Sequence, residues 1–280
     1  MMNTPIYYVG GSKGGVGKSK MAFVLINYLV SRENKILLIE TDNSNPDVYK
    51  AHEPHKNENL ICEIMDLDNS EGWLELVDTA EDHPEHVMVI NSAARSNTGI
   101  ALYGETLKGT LPQLNRELTT FWMINRQRDS VELLRDFINS FSSAKVNVCR
   151  NLYFGKPDKF DMYNTSRTKE IIEATGHTLD FPILSPRVAD KLYSDRLPIW
   201  VAEKTFRMSE RIELSRWKNL CDRLFGNGSG GEIDGHGIYG DRGADAGQKA
   251  HRRGKGHVHP NEGGTALLGR GRNLETRCRP

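Results

Sequence analysis

Along residues 1–225 the apolar positions follow two alternating rhythms. Short apolar runs occur at 6–9 (IYYV), 36–39 (ILLI), 87–90 (VMVI), 121–124 (FWMI), 146–149 (VNVC) and 181–184 (FPIL). Most lack polar alternation, which suits strands buried on both faces. Between them, Met21, Leu25, Tyr28 and Leu29 recur at helical spacing through about residue 32, as do Val131, Leu134, Phe137, Ile138 and Phe141. Further helices are expected at 166–174, stopped by Gly176, and at 187–195 and 209–224. Strands separated by helices predict an α/β fold, a doubly wound and mostly parallel sheet with helices on both faces. Ligands are then expected at the carboxyl ends of the strands.

Between the first strand and the first helix the chain reads GGSKGGVGKS, residues 10–19. Glycines let successive backbone N–H groups turn toward a phosphate, and the helix start adds its dipole. Lys18 can set a charge against the β- and γ-phosphates, and the Ser19 hydroxyl is a natural Mg²⁺ ligand. The order strand, loop, helix is the one such a loop requires. The strict G-x-x-x-x-G-K-[ST] pattern fails at one position, where Ser12 replaces the first glycine.

Composition divides the chain further. The 280 residues carry 37 basic and 37 acidic side chains, yet residues 226–280 hold 15 of the 26 glycines and a charge of +3, leaving −3 on the rest. Residues 1–225 are expected to form the folded domain that carries the phosphate loop. With no period of 2 or 3.6, residues 226–280 are expected to be a Gly-rich flexible, disordered tail. A solvated linker, a polyanion-binding segment and a readthrough or vector-derived extension remain alternative readings of it. No apolar run reaches about 18 residues, so no membrane span is expected. The start lacks a basic region followed by an apolar core, so no signal peptide is expected. Scattered Cys62, Cys149, Cys221 and Cys278 form no C-x-x-C pair, which points to reduced thiols and a cytoplasmic protein.

The string K-G-G-V-G-K-S, with its second lysine Lys13, resembles the deviant Walker A loop of the ParA/MinD-type ATPases. The resemblance implies a P-loop NTPase fold binding ATP and Mg²⁺ through Ser12, Lys13, Gly14, Gly15, Val16, Gly17, Lys18, Ser19 and Lys20. It also implies that Lys13 contacts the nucleotide of a partner subunit in a homodimer formed on ATP binding; an ordinary exposed lysine is the plain alternative. After the second strand comes ETDNSNPD, residues 40–47. Asp42 matches the second aspartate of the family's D-x-D segment, which positions water or Mg²⁺, and Glu40 stands at the first. Asp42 is thus a catalytic candidate and, with Ser19, a metal candidate; an Asx-type turn is the plain alternative. The third strand ends in Asn91, where the family usually carries the Walker B aspartate, so hydrolysis rests on whether Glu40 or Asp42 compensates. Asn151, ending the fifth strand, resembles the adenine-contacting asparagine, with Asn125 as its rival and turn formation as the alternative for both.

The segments 41–48 and 185–198 resemble plasmid-encoded relatives of ParA, the StbB-type stability proteins and more distantly the TraL and MobD proteins of conjugation and mobilisation regions. Residues 51–86, with eleven carboxylates and only Lys56 opposing them, are expected to be a solvated helical excursion carrying Trp73, Leu74, Leu76 and Val77. The last helices carry Arg187, Lys191, Arg196, Lys204, Arg207, Arg211, Arg216 and Lys218, interleaved with Asp190, Asp195, Glu203, Glu210 and Glu213: a mixed-charge solvated face is expected, with a surface for nonspecific DNA as the alternative. No membrane-binding amphipathic helix is evident. The expected function is an ATP-dependent dimerisation switch with weak ATPase activity in plasmid partition or conjugation. A small plasmid-encoded DNA-binding or relaxosome protein is its expected partner. The alternatives are a metabolic P-loop enzyme, such as a ligase or small-molecule kinase, and a catalytically silent nucleotide-binding adaptor.

Overall fold

The computed structural model describes residues 4–11, 14–93, 97–141 and 144–226. Ser12, Lys13, Cys278 and all but the first residue of the expected tail lie outside them. Seven strands form one sheet: β1 (Ile6–Gly11), β2 (Ile36–Glu40), β3 (Leu60–Ile64), β4 (Val87–Asn91), β5 (Leu118–Ile124), β6 (Lys145–Asn151) and β7 (Thr178–Phe181). Their order is β3-β2-β4-β1-β5-β6-β7, and every pairing is parallel. The helices are α1 (Lys18–Val30), α2 (Asp47–His52), α3 (Ser70–Asp82), α4 (Asn97–Thr110), α5 (Arg128–Ser140), α6 (Asp161–Asn164), α7 (Arg167–Glu173), α8 (Pro186–Ser194), α9 (Ile199–Thr205) and α10 (Met208–Gly226).

From β1 the chain moves through α1 to β2 and then β3, and these connections cover one face. It returns through α3 to β4, then passes over β1 through α4 to β5, and α5 continues to β6. These helices cover the other face, because right-handed crossovers in opposite directions must lie on opposite sides. Phe23, Ile26, Val48 and Trp217 pack on Val9, Leu38, Val89 and Phe121 in the first layer. Trp73, Leu107, Leu134 and Phe137 pack on Tyr8, Ile39, Met88 and Trp122 in the second. The reversal of direction lies beside β1 and opens the ligand crevice at its carboxyl end.

Two sequence expectations need correction, and helices α4 and α9 have no counterpart among the expected elements. The acidic stretch 51–86 is not a helical excursion: it supplies edge strand β3 and helix α3, and Trp73 is buried with Nε1 donating to the Leu67 carbonyl at 2.8 Å. Its carboxylates belong to an exposed edge and an outer helix face, where charge discourages further strand pairing. The last strand ends at Phe181 rather than beginning there, because Pro182 has no N–H for the ladder. Helix α4 went unread because Gly99, Gly104 and Gly109 look like breakers. Two of them are close-packing points: a Cβ would lie 2.0 Å from the Leu67 carbonyl oxygen at Gly99 and 2.6 Å from the Phe141 ring at Gly104. Helix α9, short and opened by Pro198, was also missed.

The closing helices are pinned electrostatically. Glu210 on α10 is buried, and it accepts from Lys191 Nζ at 2.8 Å, an Arg187 guanidinium nitrogen at 2.9 Å and the Arg207 amide at 3.1 Å. Lys191 first, then the Arg207 amide and Arg187, pull its carboxyl down to about 2 against the opposing effect of desolvation. A depressed carboxylate stabilises the fold above its ordinary value of 4.5, and that contribution fades as pH falls toward 2. Glu210→Gln is therefore expected to lower the thermal midpoint at neutral pH. The gap from wild type should close progressively below the ordinary carboxylate pKa, as followed by circular dichroism melts across acidic pH.

Candidate phosphate-loop site

The carboxyl end of β1 is shaped by glycines that leave room for neighbours. A Cβ on Gly11 would stand 2.9 Å from the Met123 carbonyl oxygen and 3.2 Å from Lys18 Cγ, so its absence lets the lysine stem lie over the sheet end. Gly15 and Gly17 adopt φ of +76° and +108°, values that favour glycine, and Gly17 is the residue from which α1 starts. Val16 is buried, while Gly14 and Gly15 are exposed. Asn151 at the end of β6 is buried beneath this turn; its Nδ2 donates to the Val16 carbonyl at 2.9 Å and its Oδ1 accepts from the Tyr153 amide at 3.1 Å. The side chain expected to meet adenine thus holds the loop backbone in this structure. Its rival Asn125 closes a turn, with Oδ1 accepting from the Gln127 amide and from Ser130 Oγ.

Lys18 opens α1, is 8% exposed, and has its pKa lowered by burial, with Asp42 and then Glu40 pulling it back up. Ser19 is half-buried and lines a small apolar hollow with Lys20, Phe23, Leu184, Leu192 and Tyr193. Lys20 is exposed, with Nζ 5.8 Å from the centre of the Tyr153 ring. The first turn of α1 contains no acidic residue. Two lysines at the positive end of a helix dipole form an arrangement that an anion would relieve.

The carboxylates come from the end of β2. Asp42 Oδ1 accepts from the Ser44 amide at 3.2 Å, Ser44 Oγ at 2.5 Å and the Asn45 amide at 3.1 Å. The Asx-type turn is therefore formed, and it fixes Asp42 near Lys18. Glu40 is wholly buried, and burial pushes its carboxyl up to about 7, with the Asp42 amide, the Asn91 side chain and the Tyr49 amide working against that rise. Strand register sets Glu40 opposite Asn91, whose Nδ2 donates to Oε1 at 2.9 Å and Oε2 at 3.1 Å. Asn91 Oδ1 is buried without a hydrogen-bond partner among the described residues. Thr41 ties the same two strands, donating to the Asn91 carbonyl and accepting from the Ala93 amide. A hydroxyl, two carboxylates and an orphaned amide oxygen fit Mg²⁺, which takes few protein oxygens and completes its shell with waters and phosphates.

Sequence reasoning missed the contact between the two segments that carried the plasmid resemblance. Tyr193 of α8 donates its hydroxyl hydrogen to buried Asp47, and Asn45 Nδ2 bonds both the Asp47 carboxylate and, at 3.0 Å, the Tyr193 oxygen. The only available signal was that both segments were distinctive. Four of the eight basic residues of the last helices are in ion pairs: Arg187 and Lys191 pair with Glu210, Arg216 with Glu213, and Lys218 with Glu203. Among the described residues no helix is long and apolar enough to cross a membrane.

A parallel sheet with a glycine loop, a buried lysine opening the next helix and carboxylates from the strand that follows that helix defines an α/β domain of the P-loop NTPase type. The chain belongs to the CobQ/CobB/MinD/ParA nucleotide-binding domain family, whose model matches residues 7–185. It is 46% identical over 224 residues to protein MobD of Acidithiobacillus ferrooxidans, across 80% of this chain and 97% of MobD. Its structure is similar to the MinD cell division protein of Aquifex aeolicus, at 16% identity and TM-score 0.48, over 79% of this chain and 97% of that one. It is also similar to the septum site-determining protein MinD complexed with Mg-ADP from Pyrococcus horikoshii OT3. There the identity is 13% and the TM-score 0.48, over 79% of this chain and 95% of that one.

If Asn151 supports the loop, losing its amide must weaken the free protein. Asn151→Ala leaves the buried Val16 carbonyl unpaired and is expected to cost about 1–3 kcal/mol in urea unfolding without nucleotide. A role confined to base recognition would leave that stability unchanged.

Proposed function

We propose that the chain is an ATP-dependent dimerisation switch of plasmid mobilisation or maintenance, in the manner its likeness to MobD suggests. The observation that carries the nucleotide half of this reading is Lys18, buried at the start of α1 behind Gly15 and Gly17 and facing carboxylates from β2. Loop N–H groups and Lys18 hold the β- and γ-phosphates; Ser19, Asp42 and the Glu40–Asn91 pair form the oxygen side. Mg²⁺, when bound, neutralises phosphate charge. Asp42 orients the attacking water, and its Asx turn keeps the carboxylate in one position. Lys13 reaches the nucleotide of a second copy, so ATP favours the dimer only by binding it more tightly than the monomer. Dimerisation presents a surface to a small plasmid-encoded DNA-binding or relaxosome partner or to DNA, and slow hydrolysis dissolves it.

A second reading, a silent nucleotide-binding adaptor, is favoured by the uncharged Asn91 at the end of β4. Turnover measured with and without DNA separates the two: slow stimulated hydrolysis supports the switch, and binding without turnover supports the adaptor. A metabolic ligase or kinase would instead show fast turnover that requires a small molecule.

Variants sort the parts. Lys18→Ala is expected to abolish binding of a nonhydrolysable ATP analogue in calorimetry. Asp42→Asn is expected to keep that binding while losing turnover by about 100-fold or more, as removal of a water-orienting carboxylate does; unchanged turnover would remove Asp42 from the mechanism. Sizing with the analogue is expected to give a dimer for wild type and a monomer for Lys13→Ala. Equal dimerisation overturns the role of Lys13 across the interface.

A further inference from the structure

We propose that Glu40 and Asn91 form an exchanged pair, in which the single carboxyl group at the junction of β2 and β4 stands on the β2 side. The proposal rests on the ATP–Mg²⁺ reading above and concerns this chain's own way of building the metal side of that site.

The observations are geometric. Glu40 and Asn91 are register partners at the carboxyl ends of adjacent parallel strands, 0% and 3% exposed. One Asn91 N–H₂ group spans both carboxylate oxygens, at 2.9 and 3.1 Å. That contact fixes the amide orientation, since the flipped amide would set oxygen against oxygen. It also fixes the chemistry of the pair: an aspartate at 91 would place two carboxylates in contact inside a buried site, where only one ionises readily. The pair therefore holds one carboxyl group, and the sequence has put it on Glu40. A glutamate at position 40 has one methylene more than an aspartate, which lets the strand end of β2 deliver its carboxylate to the side chain that terminates β4.

The remaining atom points to a ligand. Asn91 Oδ1 is buried with no donor among the described residues, and such an acceptor costs free energy unless something donates to it. A metal-bound water is a donor of the required kind, and the carboxylate beside it supplies the charge that a neutral amide lacks. Glu40 then acts as a positioning residue: it orients the Asn91 amide and polarises the water that Oδ1 accepts from, in the way outer ligands tune a metal. Asp42, two residues on and held in its own turn, is left to the attacking water. The two carboxylates of the E-T-D segment so divide two tasks.

The test is a charge exchange read without turnover. Affinity for a fluorescent nonhydrolysable ATP analogue is measured in EDTA and in Mg²⁺ for wild type, Glu40→Gln, Asn91→Asp and the double variant Glu40→Gln/Asn91→Asp. Thermal midpoints are recorded in EDTA. Glu40→Gln is expected to lose about 10–100-fold of the gain that Mg²⁺ confers over its own EDTA affinity, and the double variant to recover most of it. Asn91→Asp is expected to melt lower than wild type in EDTA, and adding Glu40→Gln to raise it again. A full Mg²⁺ gain in Glu40→Gln overturns the proposal, as does a double variant no better than Glu40→Gln. Equal midpoints for Asn91→Asp with and without Glu40→Gln overturn the single-carboxyl pairing, whether or not nucleotide binds. Absence of analogue binding by the wild type in both buffers overturns the ATP reading, while the midpoints still judge the pair.

Discussion

The positive end of α1 carries Lys18 and Lys20 in its first turn and no carboxylate of its own. A cation at that end opposes the helix dipole by about 0.3–1 kcal/mol, and Lys18 is desolvated as well. A sequence selected for stability alone would put Asp or Glu there. Relief comes from outside the helix, from Asp42 and Glu40 at the end of β2, and a bound phosphate would complete it. Those opposed charges gather at one helix start, and the sheet and the turn after β2 are arranged around it.

Only an all-parallel order brings those groups to one edge. With β1 between β4 and β5, the sheet sets Gly11 opposite Met123 and brings in Asn91 from the end of β4, with Glu40 opposite Asn91 on β2 and Asn151 on β6. Each is contributed by the last residue or two of a strand, where the ladder ends and side chains are released from alternation. The loop between β1 and α1 then needs little material of its own. Over its described residues, 14–17, two positive-φ glycines and the Asn151 amide set the backbone, and a Cβ at Gly17 would meet that amide at 2.6 Å.

The sequence was most readable where local physics decides. Continuous runs such as ILLI and VMVI can only be central strands, and the glycine loop with its lysine has few other uses. Strand β3 was hidden because an edge strand needs one apolar face: Leu60 and Cys62 are buried, but Glu63 and Ile64 face outward. Helix α4 was hidden because its glycines serve contacts with Leu67 and Phe141 that are distant in sequence. Within the site, the residue types were visible and their partners were not. Nothing local says that Asn151 holds Val16, that Glu40 meets Asn91, or that Asp47 receives a hydrogen bond from Tyr193, separated by 146 positions.

That last contact changes how the closing helices are understood. Read alone, residues 187–218 are a mixed-charge surface appended to a nucleotide fold. In the structure, the turn that fixes Asp42 runs directly into Asn45 and Asp47, which hold Tyr193 on α8. Helix α8 is in turn held to α10 through Arg187, Lys191 and Glu210. Helix α10 exposes Met208 and Ile212. The carboxylate beside the phosphate loop and the last helix are therefore linked through helix α8, which bonds Asp47 by Tyr193 and Glu210 by Arg187 and Lys191. A rearrangement at residues 42–47 cannot occur without breaking, moving or dragging the Tyr193 contact. Because the intervening links are polar and few, each has a discrete made or broken state, which is the property a two-state device requires.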